Sequence, residues 1–142
     1  MSFDWREFVR LAERTRGQGA TLPEKEAADR SAASRAYYGA FHVALEDAVS
    51  TGYARFRSGD DHTHVEKHLR ECRETNKNRW AAAKELNRLK DLRNKADYDN
   101  LLDRKPESLA VQAITMAKRV LALLGSTTSS DEAGAQSIKT SP

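Results

Sequence analysis

Between Pro23 and Pro106 the chain contains no proline. Proline removes a backbone donor and clashes with the preceding turn, so it is a frequent breaker of helices. So long an interval without one is most simply filled by long helices. The residues in it agree, since Ala, Leu, Glu, Arg and Lys dominate and β-branched residues are sparse. Apolar spacing then divides the chain. Trp5, Phe8, Val9 and Ala12 mark a helix over residues 4–16, which "RGQGA" breaks. Thr21 as N-cap, Glu24 three residues on and a proline in the first turn open a second helix over residues 22–50. "TGY" closes it, and residues 52–61 form a loop rich in Gly, Ser and Asp. A third helix starts near Asp61 and carries Val65, His68, Leu69 and Cys72. "ETNKN" separates it from a fourth, which begins near Asn78. "DRKPES" caps a fifth, where Leu109, Ala113, Met116, Val120 and Leu123 repeat at 4-3-4-3 before Gly125 closes it. The expected class is all-α, a five-helix up-down bundle.

A chain of 142 residues is long enough for one domain with its own core. Residues 1–125 hold all the apolar periodicity. Residues 126–142, "STTSSDEAGAQSIKTSP", are small and polar and read as a disordered tail. A net charge of +3 permits contact with nucleic acid without demanding it. The single cysteine, Cys72, has no internal partner for a disulfide and reads as a reduced thiol. No apolar run approaches the ~20 residues of a membrane span. The opening "MSFDWREF" is acidic and aromatic, unlike a signal peptide. The expected location is the cytoplasm, away from membranes.

Polar residues stand on two of the apolar lines. In the fourth helix the line runs Ala82, Leu86, Leu89, Arg93, Ala96, with Asn94 beside the arginine. In the second it runs Ala27, Ser31, Ser34, Tyr38, Phe41, Leu45, Ala48, flanked by Tyr37 and His42. A buried arginine is costly unless its donors are paired. Hydroxyls of a facing helix, Asp97 one turn on, or an external phosphate would each serve. Arg93 is therefore either a tie between helices or the anchor of a site.

Those residues carry a resemblance. "SRAYYGAFHVALEDA" followed by "LNRLKDLRNKADYD" resembles the HEPN superfamily (higher eukaryote and prokaryote nucleotide-binding), closest to its small stand-alone bacterial members. The resemblance covers roughly residues 5–124. It implies an all-α bundle, a homodimer, and RNA or a nucleotide as partner. Many HEPN proteins cut RNA without a metal, using an arginine, a polar residue after it and a histidine several residues on. By that resemblance Arg93 takes the arginine position and Asn94 the polar one. The positions open to the histidine hold Tyr98, Asp99 and Asn100. In such a reaction the arginine stabilises the phosphate and the histidine moves a proton. A tyrosine, with an ordinary pKa near 10, is a poor base at neutral pH.

His42 shares a face with Tyr38 and is the substitute to weigh, against the alternative of a core histidine. "HTHVEKH" places His64 and His68 at a metal-binding spacing with no evident third ligand, so no metal or other cofactor is expected. His64 is taken instead as lining the cleft. The candidate catalytic set is Arg93, Asn94, Tyr98 and His42. The candidate RNA- or nucleotide-binding set is Ser31, Ser34, Arg35, Tyr37, Tyr38, Asp97 and His64. "RECRETNKNR" reads as a solvated helix end, because no aromatic residue interleaves its charges. Two functions follow. One is a metal-independent ribonuclease or toxin-like component of a toxin–antitoxin or defence system, with a nucleotidyltransferase-type antitoxin as a possible partner. The other is a non-catalytic module that binds a nucleotide, RNA or a protein.

Overall fold

The structure, a computed structural model, describes the backbone of residues 3–55 and 60–140 and the side chains up to Gly125. Five helices follow one another: α1 (Arg6–Gly19), α2 (Lys25–Ser50), α3 (Asp61–Glu71), α4 (Lys77–Tyr98) and α5 (Pro106–Thr140). No strand occurs among the described residues. The chain is an all-α up-down bundle. Its centre is α2, which packs on α1, α3, α4 and α5, while α4 lies against α3 and α5.

Alanine explains that central place. Ala32, Ala33, Ala36, Ala40, Ala44 and Ala48 are all fully buried on α2. Small side chains let neighbouring helices approach from several sides at once. Gly39 goes further, since a Cβ there would sit 2.9 Å from Val9 Cγ2 and 3.0 Å from the Trp5 carbonyl oxygen. The start of α1 is therefore pressed directly on the α2 backbone. Larger groups fill the rest, with Tyr37 of α2 itself and Val65, Leu69, Leu86, Leu89, Leu109, Val120 and Leu124 of the other helices closed to solvent.

The line expected along α2 is corrected by this packing. Phe41, Leu45 and Ala48 are buried as expected, but Ala27 and Ser31 are exposed and Ser34 and Tyr38 only half-buried. The alanine face beside them makes the core contact.

Boundaries shift for local reasons. α1 continues through Gly17 to Gly19, which sits tight against the Ala28 side chain. Thr21 does not cap α2. That helix starts at Lys25 after Glu24, whose carbonyl accepts the Ala28 N–H, and Pro23 belongs to the turn before it. α4 opens one residue early because the Asn76 side chain accepts the N–H groups of Asn78 and Arg79. At its other end the Arg30 guanidinium donates to the carbonyls of Ala96 (3.1 Å) and Asp99 (2.6 Å), which α4 leaves without intrahelical partners.

The buried carboxylates Asp47 and Glu85 are paired across helices. Arg79 reaches both oxygens of Asp47 on α2, and Arg119 on α5 pairs with Glu85 on α4. Within α5, the segment Pro106–Gly125 is long and apolar enough to cross a membrane, which corrects the expectation that no such run exists. In the bundle its Leu109, Ala113, Val120 and Leu124 are core residues. The helix axis carries on to Thr140, and the tail expected over residues 126–142 concerns side chains outside the described set.

Candidate functional site

Arg93 comes from the apolar stripe of α4, and its side chain is 12 % exposed. The guanidinium carbon lies 5.1 Å from the centre of the Tyr37 ring and 5.4 Å from that of Tyr38, both on α2. Two aromatic faces therefore stabilise the cation where water is scarce. Asp97, one turn along α4, offers a single oxygen at 3.6 Å, and that same oxygen accepts the Ser34 hydroxyl at 3.3 Å. The Arg93 Nε is shielded from solvent and has no hydrogen-bond partner among the described residues. The cation is held in place with part of its hydrogen-bonding capacity unused.

A further contributor is His62, near the start of α3. Its Nδ1 lies 2.5 Å from the Tyr37 hydroxyl oxygen. Its ring stacks on Phe41, with centroids 4.0 Å apart and planes 12° apart. Burial lowers the His62 pKa, and the Arg93 and Lys90 charges push it the same way, while Asp61 opposes them. The ring is thus neutral at physiological pH and able to take a proton. Burial raises the Tyr37 hydroxyl well above the ordinary tyrosine value, with Arg93 the main opposing influence. Tyr37 therefore stays protonated, and its hydroxyl shares one hydrogen bond with His62 Nδ1, donating or accepting according to which ring nitrogen carries the hydrogen.

The structure sorts the sequence candidates. Arg93, Tyr37, Tyr38, Ser34 and Asp97 come together. Arg35 turns away and lies over the Phe8 ring of α1, 5.5 Å from its centre. Ser31 is exposed. Asn94 is exposed, and Tyr98 is 74 % exposed at the end of α4. His42 stacks on Trp5 at 3.6 Å, with Phe41 touching its ring and that of His62. Burial lowers the His42 pKa too, so it reads as a packed core-edge histidine. His64 is half-buried, but the residue that meets Tyr37 is His62. Two positions on a helix differ by about 200° around the axis, so choosing the wrong one of the pair chooses the wrong face.

His62 is thus the residue that sequence reasoning missed. The signal was present in "HTHVEKH", but only the packing of α3 on α2 and α4 selects one of the three histidines. His68 belongs elsewhere, with its Nε2 2.8 Å from the Thr51 hydroxyl. Among the described residues no group of three acidic, histidine or cysteine side chains is arranged to hold a metal ion. The Cys72 thiol is pushed up by burial, away from reactivity.

Compared with protein-family models, with curated proteins and with solved structures, the chain matches none.

Proposed function

We propose that this chain is an RNA-directed protein of HEPN type, acting on the phosphodiester backbone without a metal. The observation that carries the reading is the convergence of His62 on Arg93 through Tyr37. Arg93 is the phosphate ligand, with an unpartnered Nε and aromatic faces that fix its plane. A planar guanidinium suits a phosphate because it offers paired donors. His62 supplies from another helix the proton-moving group that the motif lacks. In the tautomer whose Nδ1–H donates to the Tyr37 oxygen, the free Nε2 takes the 2′-hydroxyl proton as that oxygen attacks phosphorus, and the 5′-oxygen leaves with a proton from water. Tyr37 orients the ring and holds its tautomer. Asn94 and Tyr98, exposed beside the cluster, belong to its rim.

A homodimer fits the same reading. Tyr98 and Leu101, at 74 % and 90 % exposure, are the most exposed large apolar side chains among the described residues, and both adjoin the motif. A two-fold partner covering them would bring two Arg93 sites to one cleft. The toxin-like role, with an antitoxin as the second partner, belongs to this proposal as its biological setting.

The test is incubation of the purified protein with mixed single-stranded RNA in a chelator. Cleavage that survives chelation and is lost in both Arg93→Ala and His62→Ala supports the reading. Cleavage unchanged in both variants overturns it. A second reading, the non-catalytic binding module, is favoured by the Arg93–Asp97 contact, which competes with a phosphate. RNA binding that needs Arg93, with no cleavage at any pH between 5 and 9, would select it.

A further inference from the structure

The run "RECRETNKNR" lacks an aromatic residue in sequence, but the fold places one against it. Trp80, in the first turn of α4, is half-buried. The Arg73 guanidinium carbon lies 5.0 Å from its ring centre and the Lys84 ammonium 4.5 Å. Arg73 comes from the turn after α3, and Lys84 from the next turn of α4. Arg73, Glu74, Lys77, Asn78, Trp80 and Ala81 line an open groove of about 520 Å³.

Arg70, Arg79 and Arg119 are each engaged by a carboxylate. Among the described residues Arg73, Lys77 and Lys84 form no ion pair, and the first turn of α4 contains no acidic residue. Glu74 is the one carboxylate in the groove lining. The result is an indole with two cations over its ring and positive charge on both sides of the α3–α4 turn.

We propose that this groove binds single-stranded nucleic acid, one nucleobase stacking on Trp80 while Arg73, Lys77 and Lys84 contact the adjoining phosphates. Every base has a face that stacks on an indole, so the platform is tolerant of sequence. Lys84 is long and exposed, and it can leave the ring for a phosphate as the base enters. Arg73 can remain stacked, since a guanidinium plane lies as well over a base as over an indole. A duplex offers the phosphates without the free base faces, and an acidic peptide offers the charge without stacking.

The groove is distinct from the Arg93 cluster and does not depend on that reading. Along α4 the two residues stand about 20 Å apart and about 140° apart around the axis.

The experiment uses the full chain with Trp5→Phe, which leaves Trp80 as the only indole. Its fluorescence is titrated with eight-nucleotide single strands of RNA and of DNA, a hairpin duplex and a poly-glutamate peptide. Saturable quenching by the single strands, weak quenching by duplex and peptide, and a steep salt dependence are expected. RNA and DNA share the base and phosphate chemistry, and quenching by either supports the proposal. In the chain that keeps Trp5, Trp80→Ala is expected to weaken binding, measured by anisotropy of a labelled strand, about 5- to 100-fold, with Trp80→Phe recovering most of it. Equal quenching by duplex or peptide, no quenching by single strands, or unchanged affinity in Trp80→Ala would overturn it. If Trp80→Ala fails to fold, the exposed pair Arg73→Ala and Lys84→Ala decides. A lower salt slope supports the proposal, and an unchanged slope and affinity refute it. Arg93→Ala should leave the quenching intact, and its loss there would refute a separate groove.

Discussion

Helix α4 buries two arginines to nearly the same depth, and their surroundings differ. Arg79 is 13 % exposed and Arg93 12 %. Arg79 meets both oxygens of Asp47, at 2.9 and 3.3 Å, and that carboxylate is itself 7 % exposed on the neighbouring helix. Arg93 meets one oxygen of an aspartate on its own helix, at 3.6 Å, keeps an unpartnered Nε, and rests against two tyrosine rings. Burial alone does not separate a tie from a site. What separates them is whether the donors are used. A closed pair across two helices fixes their relative position, whereas a cation held by ring faces and one distant oxygen retains capacity for a ligand.

The widest separation should appear on breaking the Arg79 pair. Arg79→Ala strands a buried Asp47 carboxylate and is expected to cost about 3–5 kcal/mol in chemical denaturation. RNA affinity per folded molecule should be unchanged. A cost under about 1 kcal/mol would make Arg79 no more structural than Arg93. The second test is the mirror image. Arg93→Ala removes a cation whose own hydrogen-bonding capacity was not filled, so its cost should stay near 1 kcal/mol or less, with loss of RNA cleavage in chelator. Strong destabilisation with normal cleavage per folded molecule would place Arg93 beside Arg79 as architecture.

A smaller effect should appear with pH. The folded His62 and His42 have pKa values lowered mainly by burial, so the unfolded chain binds protons more readily. Stability should therefore be full above about pH 6.5, the ordinary histidine value, and fall as pH drops through the lowered folded values. His62→Gln should flatten part of that fall when denaturation midpoints are compared between pH 7.5 and 5. An equally steep fall in the variant would show that the His62 ring does not titrate against its burial. The smallest effect concerns Asp97. Its carboxylate competes with a phosphate for Arg93, so Asp97→Asn should tighten RNA binding a few-fold, on the order of 1 kcal/mol, with little change in stability. Weaker binding would mean that Asp97 positions Arg93 for its ligand.

Much of the bundle was legible in the sequence because its signals are local. A proline-free interval, helix-forming composition, the polar break "ETNKN" and Pro106 at the start of α5 placed the five helices in order and their starts to within a few residues, while α5 runs past its expected end at Gly125 to Thr140. The stripe Ala82, Leu86, Leu89, Arg93, Ala96 was equally readable, because helical periodicity puts these residues on one face whatever packs against it. The α2 face was misread for a related reason. Alanine carries little hydropathy, yet its small size is what allows close approach on several sides, so the line of larger residues looked more buried than it is.

The site itself was decided by tertiary structure. Nothing within α3 distinguishes His62 from His64 until Tyr37 and Phe41 of α2 meet one of them. Nothing in α2 marks Arg30 as the cap of a helix that ends more than sixty residues later. The sequence by itself determined where the helices lie and that an arginine would stand on a core line. Which groups would face that arginine rested on contacts between residues far apart in the chain, and such contacts leave no periodic trace along it.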